Sequence, residues 1–514
     1  MKNHFDYIIV GGGSAGCCIA RRLSEKSNCT VALLEAGPKD RHPFISIPAA
    51  FSEMFKSKLD WQFESVEEKE LNHSKMYIPR GKVLGGCSSV NAMIFTRPHQ
   101  DDFELWNSNL WSWKLCLPYL KKVEKQFGFL HDQDGDAISQ YPYHLHSLSS
   151  DFILSSQNYG LKQGKTSSSI SESAFPFLKN IVKGKRYNAA KAYLHDRPKN
   201  LSVFCNTEVR HLLFEQSKCV GVQTEKEKLI ATNAVILSSG AIQSPLLLMN
   251  SGIGNEHQLK ENGIPVRLKN DQVGQNLQDH IICGFGFKCD NTKTLDSLNQ
   301  PYEKFKALLQ YVLKSSGPLT SNIAEAGAFL HLDGNLVPDI ELHFAPSFFI
   351  QHGFIKPQGF GFSLGPTLLH PKSKGHLHIN KHNPNKAQIE MNYLSDPKDM
   401  EIMLRGMEIA LDIAMQHPLK KHITGIEVPK TIPKSKNEIE LLVRQYTQTL
   451  YHPVGTCALG SHPDSVVDEK LKVNGVEQLY VVDASVIPQI TSSNTQLVTM
   501  MIAEYFADFL LPNK

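Results

Sequence analysis

The 514-residue sequence shows no strong excess of charge, no apolar run long enough to span a bilayer and no C-x-x-C cysteine pair. Its 54 basic and 51 acidic residues leave a net charge of +3, which is not the footprint of a nucleic-acid-binding protein. The ten cysteines indicate neither a metal site nor a disulfide framework, and they suit a reducing compartment. Because no apolar stretch reaches about 18 residues, we expect at most peripheral contact with a membrane.

The first six residues lead directly into an apolar run that begins at Tyr7, so the sequence predicts no signal peptide. We expect a cytoplasmic protein, with peripheral attachment to the inner membrane as the alternative. A chain of this length exceeds the usual size of a single hydrophobic core, and a hydrophobic content of 41% indicates a globular protein. We therefore predict two domains, while the sequence leaves the oligomeric state open.

What the sequence does contain is a dinucleotide-binding pattern at its start. The apolar run Tyr7–Val10 is followed by Gly11, Gly13 and Gly16 in the order G-x-G-x-x-G, and then by a helix-like stretch. In a strand–turn–helix unit this pattern directs backbone amides and a helix N-terminus towards a pyrophosphate. Glu35 ends a second apolar strand about 20 residues further on, where a carboxylate commonly binds the ribose. This unit predicts an ADP-ribose site for either FAD or NAD. Its candidate residues are Gly11, Gly13, Ser14, Ala15, Gly16, Glu35 and Ala36.

Two more glycine-containing segments follow. Residues 79–93, PRGKVLGGCSSVNAM, suit a loop wrapped around a ligand, because glycine allows close backbone approach and Ser and Asn form short local hydrogen bonds. The apolar strand at 234–237 runs into residues 240–254, GAIQSPLLLMNSGIG. Here Ser244 and Pro245 are expected to open a helix that Ser251 and Gly252 close.

Further segments lie towards the C-terminus: VGQNLQDH at 273–280, YHPVGTC at 451–457, and a stretch from Asp483 to Gln496 that precedes a last amphipathic helix. In their order along the chain, these segments and the two glycine loops resemble the glucose-methanol-choline (GMC) oxidoreductases. The resemblance covers nearly the whole chain and points to choline dehydrogenase-like, FAD-dependent alcohol dehydrogenases.

The resemblance implies an α/β fold in which a Rossmann-like FAD-binding domain is interleaved with an antiparallel-sheet substrate domain. We assign residues 1–150, 191–295 and 446–514 to the FAD domain, and 151–190 and 296–445 to the substrate domain. Residues 151–190 are rich in serine and are expected to be mostly loop. The alternating stretches at 340–344 and 376–379 are expected to be strands of the antiparallel substrate domain.

The same resemblance implies that FAD contacts the dinucleotide unit and a further set of residues. Val90 stands where some family members carry a histidine that binds FAD covalently, so we predict non-covalent FAD. The further residues are Arg80, Val83, Gly85, Gly86, Ser89, Asn91, Ala92, Met93, Val209, Gly240, Asp483, Ala484, Asn494, Thr495 and Gln496.

The resemblance also implies two catalytic residues, His452 and Asn494. Oxidation of an alcohol by hydride transfer to flavin N5 requires a base that takes the hydroxyl proton, and a histidine with a pKa of about 6.5 is suited to it. Asn494 would hydrogen-bond the substrate oxygen. It is also a good N-cap for the last helix, and the two roles are compatible.

The substrate is less well specified by the sequence. Choline would require an aromatic box with a carboxylate, because its quaternary ammonium has no hydrogen-bond donor. Trp61, Phe344 and Tyr451 are candidates for the box, and Glu325 is a candidate for the carboxylate. Relatives that oxidise aliphatic or aryl alcohols carry similar residues, so both substrate classes stay open.

The sequence leaves three functions open. The first is a primary-alcohol dehydrogenase that passes electrons to a quinone or another acceptor, and the second is an oxidase of the same fold that uses O2. The third is a flavin-binding protein, lyase or decarboxylase without alcohol oxidation. The presence of both His452 and Asn494 argues against the third.

Overall fold

The computed structural model describes residues 3–26, 28–141, 144–168, 172–289, 293–332 and 334–511. Its first sheet has seven strands, and the parallel strands at its centre are buried on both faces, as their apolar sequences require. An antiparallel hairpin, Val209–Glu215 and Lys218–Thr224, extends the sheet at one end. The parallel strands are Leu201–Phe204, Val31–Leu34, His4–Val10, Lys228–Leu237 and Leu479–Val481.

A second sheet of nine strands packs across the cavity from the first, and all its pairs but one are antiparallel. Three of its strands lie in segments that were assigned to the FAD domain from the sequence: Ile281–Ile282 and Phe285–Cys289 in 191–295, and Gln448–Thr449 in 446–514. The sheet consists of Ile423–Val428, Phe285–Cys289, Phe360–Leu368, Ile340–Ala345, Ala326–Leu330, Ser173–Pro176 and Lys162–Gln163, with Ile281–Ile282 and Gln448–Thr449 beside them.

The remaining strands form smaller sheets. His376–Asn380 is a strand, as expected, but it pairs with Asn383–Glu390 in a separate four-stranded sheet that also contains Phe63–Glu68 and Ser74–Ile78. It is thus a strand of an antiparallel pair, as expected, although it lies outside the nine-stranded sheet. The two-stranded ribbons are Phe129–His131 with Ala137–Ser139, Ile181–Val182 with Lys185–Arg186, and Ile253–Gly254 with Leu268–Lys269.

The serine-rich segment at 151–190 is not mostly loop, because it starts inside a helix, Ser147–Tyr159. Leu148, Phe152 and Ile153 form the buried face of this helix, and the Ser156 hydroxyl donates to the Phe152 carbonyl 2.9 Å away. Ser156 is thus accommodated by a bond to its own helix, whereas the Ser149 hydroxyl donates to Glu325 and the Ser155 hydroxyl to the Gln416 carbonyl. The α-helices are Ser14–Lys26, Pro43–Ser46, Trp113–Gln126, Ser147–Tyr159, Ala189–Leu194, Gly240–Asn250, Glu256–Glu261, Pro301–Lys314, Pro397–Ala414, Lys436–Tyr446 and Thr495–Leu510.

The helix Gly240–Asn250 starts earlier than the sequence suggested, since Pro245 lies inside it rather than at its first turn. A proline has no N–H to donate to the carbonyl four residues before it, which here belongs to Ala241. The Thr456 hydroxyl donates to that carbonyl instead, at 2.6 Å. This contact compensates for the missing helical bond.

The last helix, Thr495–Leu510, packs against Ser14–Lys26 and is largely buried. Phe506 is buried and Phe509 half-buried, so this helix serves the core rather than a surface. Among the helices of the described residues, none combines the length and the apolar content needed to cross a bilayer.

Candidate active site

One continuous cavity lies between the two large sheets. At one end it is lined by Gly11, Gly13 and Glu35, and at the other by His452 and Asn494. Strands of both sheets therefore contribute to a single site, which agrees with a cofactor held by one sheet and a substrate held by the other.

The glycine turn at the first end has the shape that a pyrophosphate site requires. Gly11 has a φ of +103°, and a Cβ there would lie 2.4 Å from the Ser238 carbonyl oxygen. A Cβ on Gly13 would meet no described protein atom closer than 3.8 Å, so its side of the turn faces open space in the cavity. A Cβ on Gly16 would lie 1.9 Å from the Gly11 carbonyl oxygen, because the helix packs directly on the strand.

Glu35 follows the second strand and points both carboxylate oxygens at backbone N–H groups. Gly12 N donates to one oxygen at 2.9 Å and Gly37 N to the other at 2.7 Å. Burial raises the pKa of Glu35 to about 7, although these bonds act in the opposite direction. The carboxyl group is thus fixed at the edge of the cavity where a ribose would lie.

The loop at 79–93 wraps the cavity and connects its two ends. The N–H of Gly85 donates to the Gly12 carbonyl at 2.7 Å, and the Asn91 amide donates to the Gln496 side-chain oxygen. Arg80 Nη1 donates to the Tyr451 carbonyl at 2.6 Å. A stretch that looks irregular in sequence is therefore held at several points.

Most of the expected cofactor residues line the cavity, and four support it from behind. Gly16 packs the helix, Gly85 bonds the glycine turn, Val83 lies in a small apolar cluster, and the Ser89 hydroxyl donates to the Leu84 carbonyl at 2.8 Å. The residues that line the cavity are Gly11, Gly13, Ser14, Ala15, Glu35, Ala36, Arg80, Gly86, Asn91, Ala92, Met93, Val209, Gly240, Asp483, Ala484, Asn494, Thr495 and Gln496.

A chain of hydrogen bonds at the other end fixes the tautomer of His452. His280 Nε2 lies 3.0 Å from the Leu369 carbonyl oxygen, which can only accept, so this nitrogen carries the ring proton. Burial lowers the pKa of His280 to about 3, which keeps the ring neutral and makes its Nδ1 an acceptor. His452 Nδ1, 2.9 Å away, is therefore the donor. The lone pair of His452 remains on Nε2, 3.1 Å from the side-chain nitrogen of Asn494.

Asn494 is oriented by a second contact. The Thr96 hydroxyl donates to Asn494 Oδ1 at 3.1 Å, so the amide turns its Nδ2 towards His452. Asn494 occupies the N-cap position of the last helix, as expected, yet its side chain caps none of the helical N–H groups that the structure describes. The side chain serves the site instead.

The backbone around His452 is held tightly. Its N–H donates to Asp279 Oδ1 at 2.7 Å, and the Tyr393 hydroxyl donates to the other oxygen of Asp279 at 2.6 Å. Tyr451 has a φ of +72°, a conformation that costs a non-glycine residue about 1–3 kcal/mol. Arg80 holds the Tyr451 carbonyl, so contacts on both sides stabilise this turn.

The electrostatic surroundings keep His452 uncharged. Burial is the main cause that lowers its pKa well below the usual value, and the neighbouring His280, Arg80 and His343 act in the same direction. A histidine that is neutral at physiological pH and has its lone pair directed into a cavity can accept a proton there.

Comparison with known proteins identifies the family. Residues 5–282 match the N-terminal part and residues 371–503 the C-terminal part of the GMC oxidoreductase family. The chain belongs to this family. It is 36% identical to an alcohol dehydrogenase (acceptor) of Pseudomonas putida, over 99% of the chain and 96% of the relative. It is also 36% identical to the mitochondrial choline dehydrogenase of Homo sapiens, over 99% of the chain and 90% of the relative.

The fold of this GMC oxidoreductase is similar to that of pyridoxine 4-oxidase from Mesorbium loti, with a TM-score of 0.85, 28% identity and 98% of both chains covered. The resemblance, the fold class and the FAD-dependent oxidoreductase class expected from the sequence are thereby confirmed. Covalent attachment is not tested, so non-covalent FAD stays a prediction.

The residues of this GMC oxidoreductase fit FAD at both ends of the cavity. The glycine turn, Glu35 and the start of helix Ser14–Lys26 would hold the ADP-ribose part. Gln496 Nε2 is buried and has no hydrogen-bond partner among the described residues, although it lines the cavity at the start of the last helix. This orphaned donor and the adjoining helix N-terminus suit a carbonyl of the flavin ring.

Two of the residues predicted to form the substrate pocket lie elsewhere in the structure. Glu325 does not line the cavity; its carboxylate accepts from the Ser321 hydroxyl at 2.6 Å and the Ser149 hydroxyl at 2.7 Å. Trp61 lines the cavity but lies under the Lys82 ammonium, 4.3 Å from the ring centroid, with Glu208 3.8 Å from the same ammonium. Because Lys82 and Glu208 also act on Glu35, Trp61 belongs to the ADP-ribose end. Phe344 and Tyr451 line the cavity in the second sheet and next to His452.

Several residues around His452 were not singled out from the sequence. His280 and Asp279 were seen only as part of the segment 273–280, and no sequence pattern pointed to Thr96. His343 was seen only as part of the alternating stretch 340–344. It lines the cavity, and its ring nitrogens have no hydrogen-bond partner among the described residues. Burial lowers its pKa to about 4, so it is a neutral polar group facing the substrate end.

Proposed function

We propose that this GMC oxidoreductase oxidises an uncharged primary alcohol with an apolar chain to the aldehyde and passes the electrons to a quinone or another acceptor. The observation that carries this proposal is the bond chain from Leu369 through His280 to His452. It leaves an unprotonated Nε2 beside the Asn494 amide.

His452 and Asn494 have different roles in the oxidation of the alcohol. His452 Nε2 accepts the hydroxyl proton, and Asn494 Nδ2 donates to the oxygen and stabilises its growing negative charge. FAD, when bound, supplies the acceptor for the hydride that leaves the carbinol carbon. The aldehyde, a proton on His452 and the reduced cofactor account for both hydrogens and both electrons.

The charges of the cavity support an uncharged substrate. The acidic residues among the described lining are Glu35, Glu208 and Asp483. Glu35 and Glu208 lie at the ADP-ribose end, and Asp483 is bonded to the Gly240 N–H at 2.8 Å. Two charged groups approach His452: Arg80, which lines the cavity, and Asp279, which does not and accepts from the His452 N–H at 2.7 Å. The positive charge of Arg80, on the cavity side, would repel a quaternary ammonium. The wall near His452 is mostly apolar: Phe51, Phe55, Phe344, Phe349, Ile350 and Leu364.

The test is anaerobic titration of the FAD-loaded protein with 1-octanol, benzyl alcohol and choline, following the absorbance of the oxidised flavin. We expect bleaching by the two uncharged alcohols, and His452→Ala should slow it by about 10² to 10⁴-fold while FAD stays bound. His195→Ala, at a side chain 78% exposed, is the matched control.

Choline is the alternative substrate, since a relative with 36% identity is named choline dehydrogenase. Faster bleaching by choline would overturn the substrate class and leave the chemistry intact, whereas no bleaching by any alcohol would reject the function. Reoxidation by O2 with peroxide release, faster than by a quinone, would make the protein an oxidase.

A further inference from the structure

The helix Pro301–Lys314 presents a large apolar face to solvent. Only Ala307 and Tyr311 among its side chains are buried, whereas six large apolar side chains are 45–73% exposed. These are Tyr302, Phe305, Leu308, Leu309, Val312 and Leu313. A contiguous patch of this kind on a folded protein usually marks an interaction surface.

The positions of these residues form one stripe. At about 100° per residue, the six apolar positions occupy a single arc of about 140°, opposite to Ala307 and Tyr311. Lys304 and Lys306 stand at the two margins of the arc. This order, with apolar residues at the centre and lysines at both edges, is typical of helices that lie in a lipid–water interface.

The net charge of the helix is positive. It carries Lys304, Lys306 and Lys314, and its acidic residue, Glu303, is paired with Lys293 at 2.8 Å. Anionic headgroups would complement these lysines. A second copy of the same face would instead bring like charges together across a two-fold contact.

The helix is also linked to the wall of the cavity. The Tyr311 hydroxyl donates to the Ser46 carbonyl at 3.0 Å. Ser46 ends the helix Pro43–Ser46, and the following 3-10 helix Pro48–Met54 carries Phe51 into the cavity.

We propose that this exposed face, defined by the six apolar residues above, docks the protein on the surface of an anionic phospholipid bilayer. The docking is independent of the substrate and of catalysis. It requires no spanning helix, because the apolar side chains enter only the headgroup boundary.

Vesicle flotation with the full-length, FAD-loaded protein tests the proposal. Vesicles of equal parts phosphatidylcholine and phosphatidylglycerol should carry the protein, and pure phosphatidylcholine should carry less. Leu309→Glu/Leu313→Glu should weaken binding about tenfold or more, since two charges would enter the boundary. Leu441→Glu, at a side chain 65% exposed on another helix, is the matched control and should bind like the wild type.

A second variant, Lys304→Glu/Lys306→Glu, keeps the apolar face and should lose the preference for anionic vesicles, so the proposal stays testable if the first variant folds poorly. Equal binding by the wild type and both variants would overturn it. Sedimentation analysis tests whether the exposed face binds a second copy of the chain instead. A dimer in solution that Leu309→Glu/Leu313→Glu dissociates would assign the face to that second copy.

Discussion

Replacing His280 by phenylalanine tests the bond chain that sets the tautomer of His452. In the wild type, the Nδ1–H of His452 donates to His280 across 2.9 Å, and the lone pair is left on Nε2. In His280→Phe, the buried Nδ1–H of His452 has lost its hydrogen-bond acceptor. The other tautomer then becomes competitive, and its Nε2 carries a proton and cannot take one from an alcohol.

The size of the effect follows from the hydrogen bond. An unsatisfied buried donor costs about 1–3 kcal/mol, so the productive tautomer loses about 2 kcal/mol relative to the other one. Since about 1.4 kcal/mol corresponds to a factor of ten, the rate of flavin reduction should fall about 30-fold. Asn494 still contacts the substrate oxygen, so KM should change less than kcat.

Stopped-flow reduction of the FAD-loaded enzyme measures this rate directly. The control is His280→Gln, whose amide keeps both an acceptor for His452 and a donor for the Leu369 carbonyl, and which should retain most of the rate. Flavin absorbance and Tm verify that each variant is loaded and folded. If His280→Phe reduces its flavin as fast as the wild type, the reasoning from the tautomer is refuted.

Three further outcomes are expected. His452 is active when neutral and its pKa is lowered, so kcat/KM should stay constant as the pH falls through 6.5 and decline only below it; an acid limb centred at or above 6.5 would contradict this. Gly13→Ala should leave the Tm of the apoprotein unchanged but weaken FAD binding about tenfold or more, because its Cβ enters the pyrophosphate turn. Gly425→Ala, whose Cβ would also have its nearest neighbour at 3.8 Å, is the control. Equal FAD affinity in the two variants would contradict the prediction that the turn at Gly13 binds the pyrophosphate. Thr456→Val should destabilise the fold by about 1–3 kcal/mol, as followed by Tm, since a helical carbonyl loses its donor. Adding Pro245→Ala, which restores an N–H, should recover part of the lost stability. No recovery would show that the loss does not come from the missing donor to the helical carbonyl.

The sequence was sufficient for features that are local. The turn at Gly11 to Gly16 and the acid at Glu35 depend on short-range backbone chemistry, and they were found with their relative placement. The exposed helix Pro301–Lys314 was not singled out, because an apolar stripe of this kind has the same pattern in a core helix. Only the structure shows that the stripe faces solvent.

Long-range contacts explain what was missed at the site. His280 and His452 are 172 positions apart, and they meet because the strand Ile281–Ile282 pairs antiparallel with Gln448–Thr449. Strands of two residues are too short to show any periodicity. Glu325 illustrates the opposite error, since its residue type suited a cation site while its neighbours in the fold are hydroxyl donors.

Burial connects the reactivity of this site with its selectivity. The same removal from water lowers the pKa of His280 to about 3, that of His343 to about 4 and that of His452 well below its usual value. Burial also raises the pKa of Glu341, whose Oε2 lies 3.5 Å from His343 Nε2. A base kept neutral in this way is ready to accept a proton at physiological pH. For the uncharged alcohol proposed above, the same low polarity would be favourable, because an apolar chain is buried at a lower desolvation cost than a quaternary ammonium.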